Sequence, residues 1–221
     1  MPALLKMINI IPAILAKDFK ELAFQVRKIE PFTEWVHLDV IDGKLAPNFT
    51  WNNPSEWKKL GSFLKLEVHL MIKEPWKAIE DWIQGGAQRV IVHREAFKDE
   101  ELEKIEEIIK RGHQEKREVG LALNPETVVE RLVELPLIKN LDLVLFMAVQ
   151  PGFQGQGFIE ETLSKVKYFR SFHPHLNLGV DGGINPETAK KSVRAGANIL
   201  VSGSFIVKSQ DVESAIVSLR S

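Results

Sequence analysis

The chain has 221 residues, 29 Lys+Arg against 30 Asp+Glu, a formal net charge of −1 and no Cys. The charge balance argues against a protein built around nucleic acid or an acidic membrane surface. The missing Cys excludes disulfides, thiolate metal sites and a cysteine nucleophile.

An apolar fraction of 44% beside 27% charged residues is that of an ordinary folded domain rather than a disordered chain. No apolar run reaches the roughly 18 residues of a membrane span, and residues 1–12 do not read as a signal peptide. The expected location is the cytoplasm, with no membrane or nucleic-acid partner. Along the chain, short β-branched apolar runs alternate with longer amphipathic ones, and no linker interrupts them. The first strand is expected at residues 8–11. The helix 19–29 follows, N-capped by Asp18, whose side-chain oxygen takes an orphan backbone N–H. A second strand, 35–40, leads through a Gly/Pro/Asn loop to a short helix after Pro54. The third strand spans 65–70, and Pro75 opens a helix to 84 that Gly85 and Gly86 end. The fourth strand, 89–93, precedes a helix over 98–111 closed by Gly112. After the fifth strand, 119–123, Asn124 and Pro125 are expected to start a short helix through Leu132. The sixth strand, 141–147, is followed by a Gly-rich loop and a helix over 159–172. The seventh, 178–181, has its helix at 186–195, and the eighth, 199–202, a last helix near 212–219.

Strict alternation requires a parallel sheet, because each helix returns the chain to the same end. Eight βα units in this length predict an α/β fold, a closed (β/α)8 TIM barrel occupying residues 1–221 as one domain. An open doubly wound sheet would carry its Gly fingerprint after the first strand. There the chain reads Pro12-Ala13-Ile14-Leu15, and the glycines follow strands six, seven and eight, where barrels hold phosphate.

Barrel chemistry sits at the C-terminal strand ends. In Val36-His37-Leu38-Asp39-Val40, residues two apart share a face, so His37 and Asp39 point inward if the valines and Leu38 pack outward. His69 and Met71 repeat the arrangement on the third strand, and Asp181 ends the seventh. A single inward His is usually a core residue and a single strand-end Asp usually a turn or cap. Four such residues on three strands make a set that suits Zn²⁺, Mn²⁺ or Fe²⁺. Asp42 before Gly43 reads as a turn former, His93 as a residue lining or supporting the mouth, and His113, His173 and His175 as solvated. Met71 and Met147 fill the core, or floor a reactive intermediate. The five Trp fall in the first half, expected under the first helices.

Three glycine segments follow strands: Pro151-Gly152-Phe153-Gln154-Gly155-Gln156-Gly157, Asp181-Gly182-Gly183-Ile184-Asn185 and Ser202-Gly203-Ser204. Gly lets backbone N–H groups approach an anion. No Lys or Arg lies within these segments, so backbone N–H groups and Ser204 are expected to hold a phosphate without a point charge.

His37-Leu38-Asp39-Val40-Ile41-Asp42-Gly43 with Pro47-Asn48, Val68-His69-Leu70-Met71, Met147-Ala148-Val149-Gln150-Pro151-Gly152-Phe153 and Val180-Asp181-Gly182-Gly183-Ile184 resemble the ribulose-phosphate 3-epimerase family, from Ile11 to Ile206. The resemblance implies a barrel that interconverts ribulose 5-phosphate and xylulose 5-phosphate in carbohydrate metabolism, in the pentose phosphate pathway or the Calvin cycle. It places one divalent metal (Zn, Fe, Mn or Co) on His37, Asp39, His69 and Asp181, with Asp39 and Asp181 also as acid/base groups. It places the sugar phosphate on Gly152, Phe153, Gln154, Gly155, Gly182, Gly183, Gly203 and Ser204, an apolar wall on Ile41, Met71 and Met147, and the chain in a homo-oligomer, dimer or hexamer. Three positions depart from the family pattern: Ala13 stands for Ser, Ile41 for Met, and Gln154 for Gly. Ala13 removes a hydroxyl near the sugar, which raises a ketohexose phosphate such as allulose 6-phosphate as a rival substrate. A non-catalytic sugar-phosphate-binding barrel is a further alternative. Decarboxylases and aldolases on this fold usually want a strand-end Lys, and Lys44 lies in a loop.

Overall fold

The computed structural model describes residues 8–220. The stretch before residue 8, part of the opening segment read as no signal peptide, lies outside them. Eight parallel strands close a barrel in sequence order: β1 (Asn9–Ile14), β2 (Trp35–Ile41), β3 (Lys65–Met71), β4 (Ala87–His93), β5 (Glu118–Leu123), β6 (Leu143–Met147), β7 (Asn177–Asp181) and β8 (Ile199–Ser202). β8 pairs with β1 to complete the circle, Asn9 opposite Ile199 and Pro12 opposite Ser202. β1 therefore runs three residues past its expected end and carries Pro12 and Ala13 to the mouth.

Helices α1 (Phe19–Ile29), α2 (Pro54–Trp57), α3 (Ile79–Gly85), α4 (Leu102–Gln114), α5 (Thr162–Phe172), α6 (Pro186–Ala195), α7 (Ser204–Val207) and α8 (Val212–Ser218) surround it. Asp18 caps α1 as expected, its carboxylate accepting from Glu21 N at 2.8 Å. Gly112 does not end α4. It is buried inside the helix, where a Cβ would fall 2.3 Å from Val119 Cγ2. The helix runs on to Gln114, and Lys116 makes the left-handed turn at φ 55°. α7 is an unexpected extra turn directly after β8.

The strict alternation fails once. Between β5 and β6 there is no α-helix over 125–132, only turns and a 3-10 segment, Pro136–Asn140. Asn124 was expected to cap that helix, yet its Oδ1 is buried without a hydrogen-bond partner. Instead Asn124 N and the Thr127 hydroxyl both donate to Glu95 on the β4 side. Thr127 N closes a single turn on Asn124 O at 3.1 Å, and β-branched Val128 and Val129 add little propensity to continue it as a helix.

Alternation of side chains makes two cores. Val36, Leu38, Val40, Val68 and Leu70 face outward against the helices, over which Trp51, Trp57 and Trp82 are buried. Ile11, Ile91, Leu143, Leu145, Ile199 and Val201 fill the barrel interior. Glycine at 179 makes room there, since a Cβ would lie 2.7 Å from Leu145 Cδ1. No helix among the described residues is long and apolar enough to cross a membrane. Leu145 is fully buried in this interior, with rigid strands around it that cannot collapse. Leu145→Ala is expected to lower unfolding free energy by about 2–5 kcal/mol, read from the midpoint of urea denaturation at unchanged slope.

Candidate active site

The inward-facing end residues of β2, β3 and β7 meet at the mouth. His37 and Asp39 leave β2 two residues apart, and β2–β3 register sets Asp39 beside His69. β7 is not a neighbour of β2, so Asp181 arrives across the barrel interior. His37 Nε2 lies 3.1 Å from His69 Nδ1, and Asp39 Oδ1 lies 3.2 Å from both nitrogens. Asp181 Oδ2 lies 3.8 Å from each. His37 and His69 are fully buried, and Asp39 and Asp181 keep only 7% exposure, at the cavity floor.

This donor set fits a divalent cation. Tetrahedral bonds of about 2.0–2.1 Å set ligand atoms about 3.3–3.4 Å apart, and the spacings bracket that value. All four ligand atoms lie within 4.8 Å of one another.

Each side chain is held from behind. His37 Nδ1 donates to Glu67 Oε1 at 2.5 Å, which leaves Nε2 to face the cluster. Glu67 is itself paired with Arg89, Arg89 Nε donates to Glu118 at 2.6 Å, and the guanidinium sits 4.5 Å over the Trp35 ring. Thr50 locks the end of β2, its hydroxyl donating to Asp39 O at 2.9 Å and accepting from Ile41 N at 2.8 Å. Asp42 is the turn former expected, accepting from Lys44, Leu45 and Lys73 N–H.

The two carboxylates are in opposite states. Burial alone would raise Asp39, but hydrogen bonds from His37 and His69 outweigh it and hold that carboxyl far below the usual range. Burial pushes Asp181 up to about 7, helped by the negative Asp39 and Glu67 and opposed by His37. Burial disfavours a charged His37, yet Asp39 and Glu67 raise it well above 6.5. Burial, opposed by the contact with Asp39 and helped by the neighbouring imidazoles, takes His69 down to about 4.

Above the carboxylates opens a cavity of about 390 Å³. Asp39, Asp181, Met71 and Met147 form its floor, and Gly152, Phe153, Gln154 and Gly155 its flank. Gly182, Gly183, Gly203 and Ser204 close the far end. Gly182 holds φ 99°, and a Cβ there would lie 2.3 Å from Val149 Cγ2, so no other residue fits this turn. His37 and His69 lie beneath the floor, and Ile41 packs with Ala46 and Met71 beside it. Gln154 reaches across the far end: its Nε2 donates to Ala13 O at 3.2 Å and fills the space that a Cβ on Gly203 would take. Asn48 Nδ2 donates to Gly152 O at 2.8 Å and ties this loop to the one after β2.

Four residues escaped the sequence reading. Glu67 shares the inward face of His69 at i−2, so alternation alone signals it. Arg89 and Glu95 become visible only through their partners. Lys208 lines the cavity although it lies beyond the glycine segments, so a cation does border the expected phosphate end. His93 is a supporting residue, bonded to His69 at 2.8 Å. His113 and His173 are not simply solvated: His113 is bonded to Asp142, and His173 to Val133 O.

Residues 9–207 match the sequence profile described as the ribulose-phosphate 3 epimerase family. The chain belongs to that family. It is 39% identical to the ribulose-phosphate 3-epimerase of Schizosaccharomyces pombe, covering 96% of this chain and 92% of that protein. It is 37% identical to the one of Bacillus subtilis, over 97% and 99%. Among solved structures, a 3-hexulose-6-phosphate synthase superposes with a TM-score of 0.71 at 16% identity, over 96% and 98%, which speaks for the shared barrel. In this chain the buried pairing of Glu67 with Arg89 serves His37 from below. Glu67→Ala leaves Arg89 buried beside a vacated partner and is expected to cost about 3–5 kcal/mol, measured by chemical denaturation. Because His37 holds a proton well above pH 6.5 and its Nε2 faces the cluster, cation binding must displace a proton. Zn²⁺ affinity of the metal-free protein is therefore expected to rise with pH through neutrality. Calorimetry in buffers of different ionisation enthalpy should read net proton release at pH 7.

Proposed function

We propose that this family member interconverts D-ribulose 5-phosphate and D-xylulose 5-phosphate through an enediolate, with Asp39 and Asp181 as the two acid/base groups. Membership makes the protein a carbohydrate-phosphate epimerase. The observation that carries the mechanism is the pair of buried carboxyls, from β2 and β7, bordering one cavity with opposite preferences for a proton.

Inverting C3 means taking its proton from one face and returning one to the other, which one group cannot do without the substrate turning over. Two carboxyls on separated strands can, one starting ionised as base and the other protonated as acid. The reverse reaction starts from the exchanged state. His37, Asp39, His69 and Asp181 would hold a divalent metal, which would supply Lewis-acid stabilisation of negative charge developing on the substrate. Met71 and Met147 present apolar surface to the reacting carbons and keep water from the exposed carbanion face. The phosphate lies toward Gly182, Gly183, Gly203 and Ser204, where backbone N–H groups can receive it, with Gln154 and Lys208 at the rim. The protein acts in the cytoplasm as one barrel domain per chain, in a homo-oligomer, a dimer or hexamer.

Incubation with ribulose 5-phosphate in D₂O is expected to place deuterium at C3, and chelation to abolish it. Asp39→Asn and Asp181→Asn should each lower kcat by about 10²–10⁴-fold. Absence of exchange by metal-replete protein would refute the reading, and sugar-phosphate binding without turnover would favour a binding barrel. Ala13 leaves room beside the sugar, so kcat/KM for ribulose 5-phosphate against allulose 6-phosphate decides the substrate, the pentulose being expected to win.

A further inference from the structure

Beneath the cavity floor, His69 contacts a second imidazole that neither the acid/base pair nor the phosphate end uses. His69 Nε2 lies 2.8 Å from His93 Nε2, and both side chains are fully buried. The ring planes are 14° apart with centroids at 4.8 Å. An N···N distance that short excludes face-to-face stacking, so the rings meet edge to edge, as an N–H···N bond requires. The other nitrogen of His93, Nδ1, lies 3.1 Å from Glu95 Oε2. Glu95 Oε1 in turn accepts from Asn124 N at 3.0 Å and from the Thr127 hydroxyl.

The direction of every bond in this chain follows from its far end. A carboxylate that already collects two donors accepts only, so His93 Nδ1 must carry the proton given to Glu95. A neutral His93 then has a bare Nε2, and the proton between the rings belongs to His69 Nε2. With a cation in the cluster, that leaves the lone pair of His69 on Nδ1, the atom that faces His37 Nε2 and Asp39 Oδ1. His37 reaches the complementary state by a shorter route, since its Nδ1–H donates directly to Glu67 and Nε2 is the nitrogen left to face the cation. The two histidines thus face one point with opposite nitrogens, because one is backed by a carboxylate and the other by an imidazole and then a carboxylate.

We propose that His93 and Glu95 are positioning residues that fix the tautomer and ring orientation of His69 for a divalent cation. The proposal rests on His37, Asp39, His69 and Asp181 as the cation's ligands. It also gives the departure from helix after β5 a function: Asn124 and Thr127 are held in turns because they anchor the end of this chain.

The test is Zn²⁺ affinity of metal-free protein, by competition with a chromophoric chelator at fixed pH, in three variants. His93→Phe keeps a flat ring but no nitrogen, and is expected to weaken Zn²⁺ binding about 10–100-fold. His93→Gln can accept from His69 through its carboxamide oxygen and donate to Glu95 through its NH₂, and should restore most of the loss. Asp39→Asn tests the ligand set itself. A folded His93→Phe protein with wild-type affinity overturns the proposal, and so does a His93→Gln protein as weak as His93→Phe. If Asp39→Asn also binds Zn²⁺ like wild type, the ligand reading falls as well, so the two failures differ. Nitrogen-15 spectra of the wild-type Zn²⁺-loaded protein provide a readout that needs no variant. They should show His93 protonated on Nδ1 and bare on Nε2, and a proton on His93 Nε2 overturns the proposal.

Discussion

A closed barrel buries whatever its strands turn inward, and a charge buried there must be met by a partner or a cation. Everything at the mouth depends on this. Asp39 and Glu67 are carboxylates inside the sheet, and His37 lies between them, bonded to both. Remove that imidazole and two buried negative charges lose a shared partner while Asp181 keeps its like-charged neighbour. The pairing therefore orders the site and sets its protonation at once. Arg89 continues the same logic downward to Glu118 at the barrel's lower rim, so the polar interior is one connected path set among apolar residues.

The apolar and polar halves of the interior divide by strand. Ile11, Leu143, Leu145, Ile199 and Val201 come from β1, β6 and β8, while β2, β3 and β4 bring the imidazoles and their carboxylates, with Ile91 of β4 as an apolar member among them. Asp181 on β7 stands where the halves meet, and burial with little direct hydrogen bonding raises it. Asp39, from the polar half, is lowered by its two histidines. Two chemically identical side chains thus acquire different proton affinities from which strands flank them, and this difference is what an inversion by proton exchange requires.

The loops impose a second constraint, on shape. Gly182 turns at positive φ against Val149, and Gln154 spans from the β6 loop to Ala13 at the end of β1. The far end of the cavity is therefore closed partly by the Gln154 carboxamide. Gln154 donates to the backbone carbonyl of Ala13, so these two departures from the family pattern lie side by side at one end of the cavity.

Much of this was legible in the residues themselves. Period-two alternation placed His37, Asp39 and His69 on one face, the strand-end position of Asp181 followed from the glycines after it, and the rhythm of strands and helices determined an eight-unit barrel. Glu67 obeyed the same alternation. What only the tertiary structure decided was pairing across strands: that Arg89 answers Glu67, that Asp181 reaches His37 from a non-adjacent strand, and that Lys208 borders the cavity. The stretch after β5 shows why. Its Asn-Pro start and amphipathic run are local signals for a helix, but the segment forms turns instead, with Asn124 N and the Thr127 hydroxyl bonded to Glu95, about thirty residues earlier. Periodicity records which face a residue occupies, because backbone geometry is local. Which charge it meets depends on barrel closure, which joins segments that no local pattern relates.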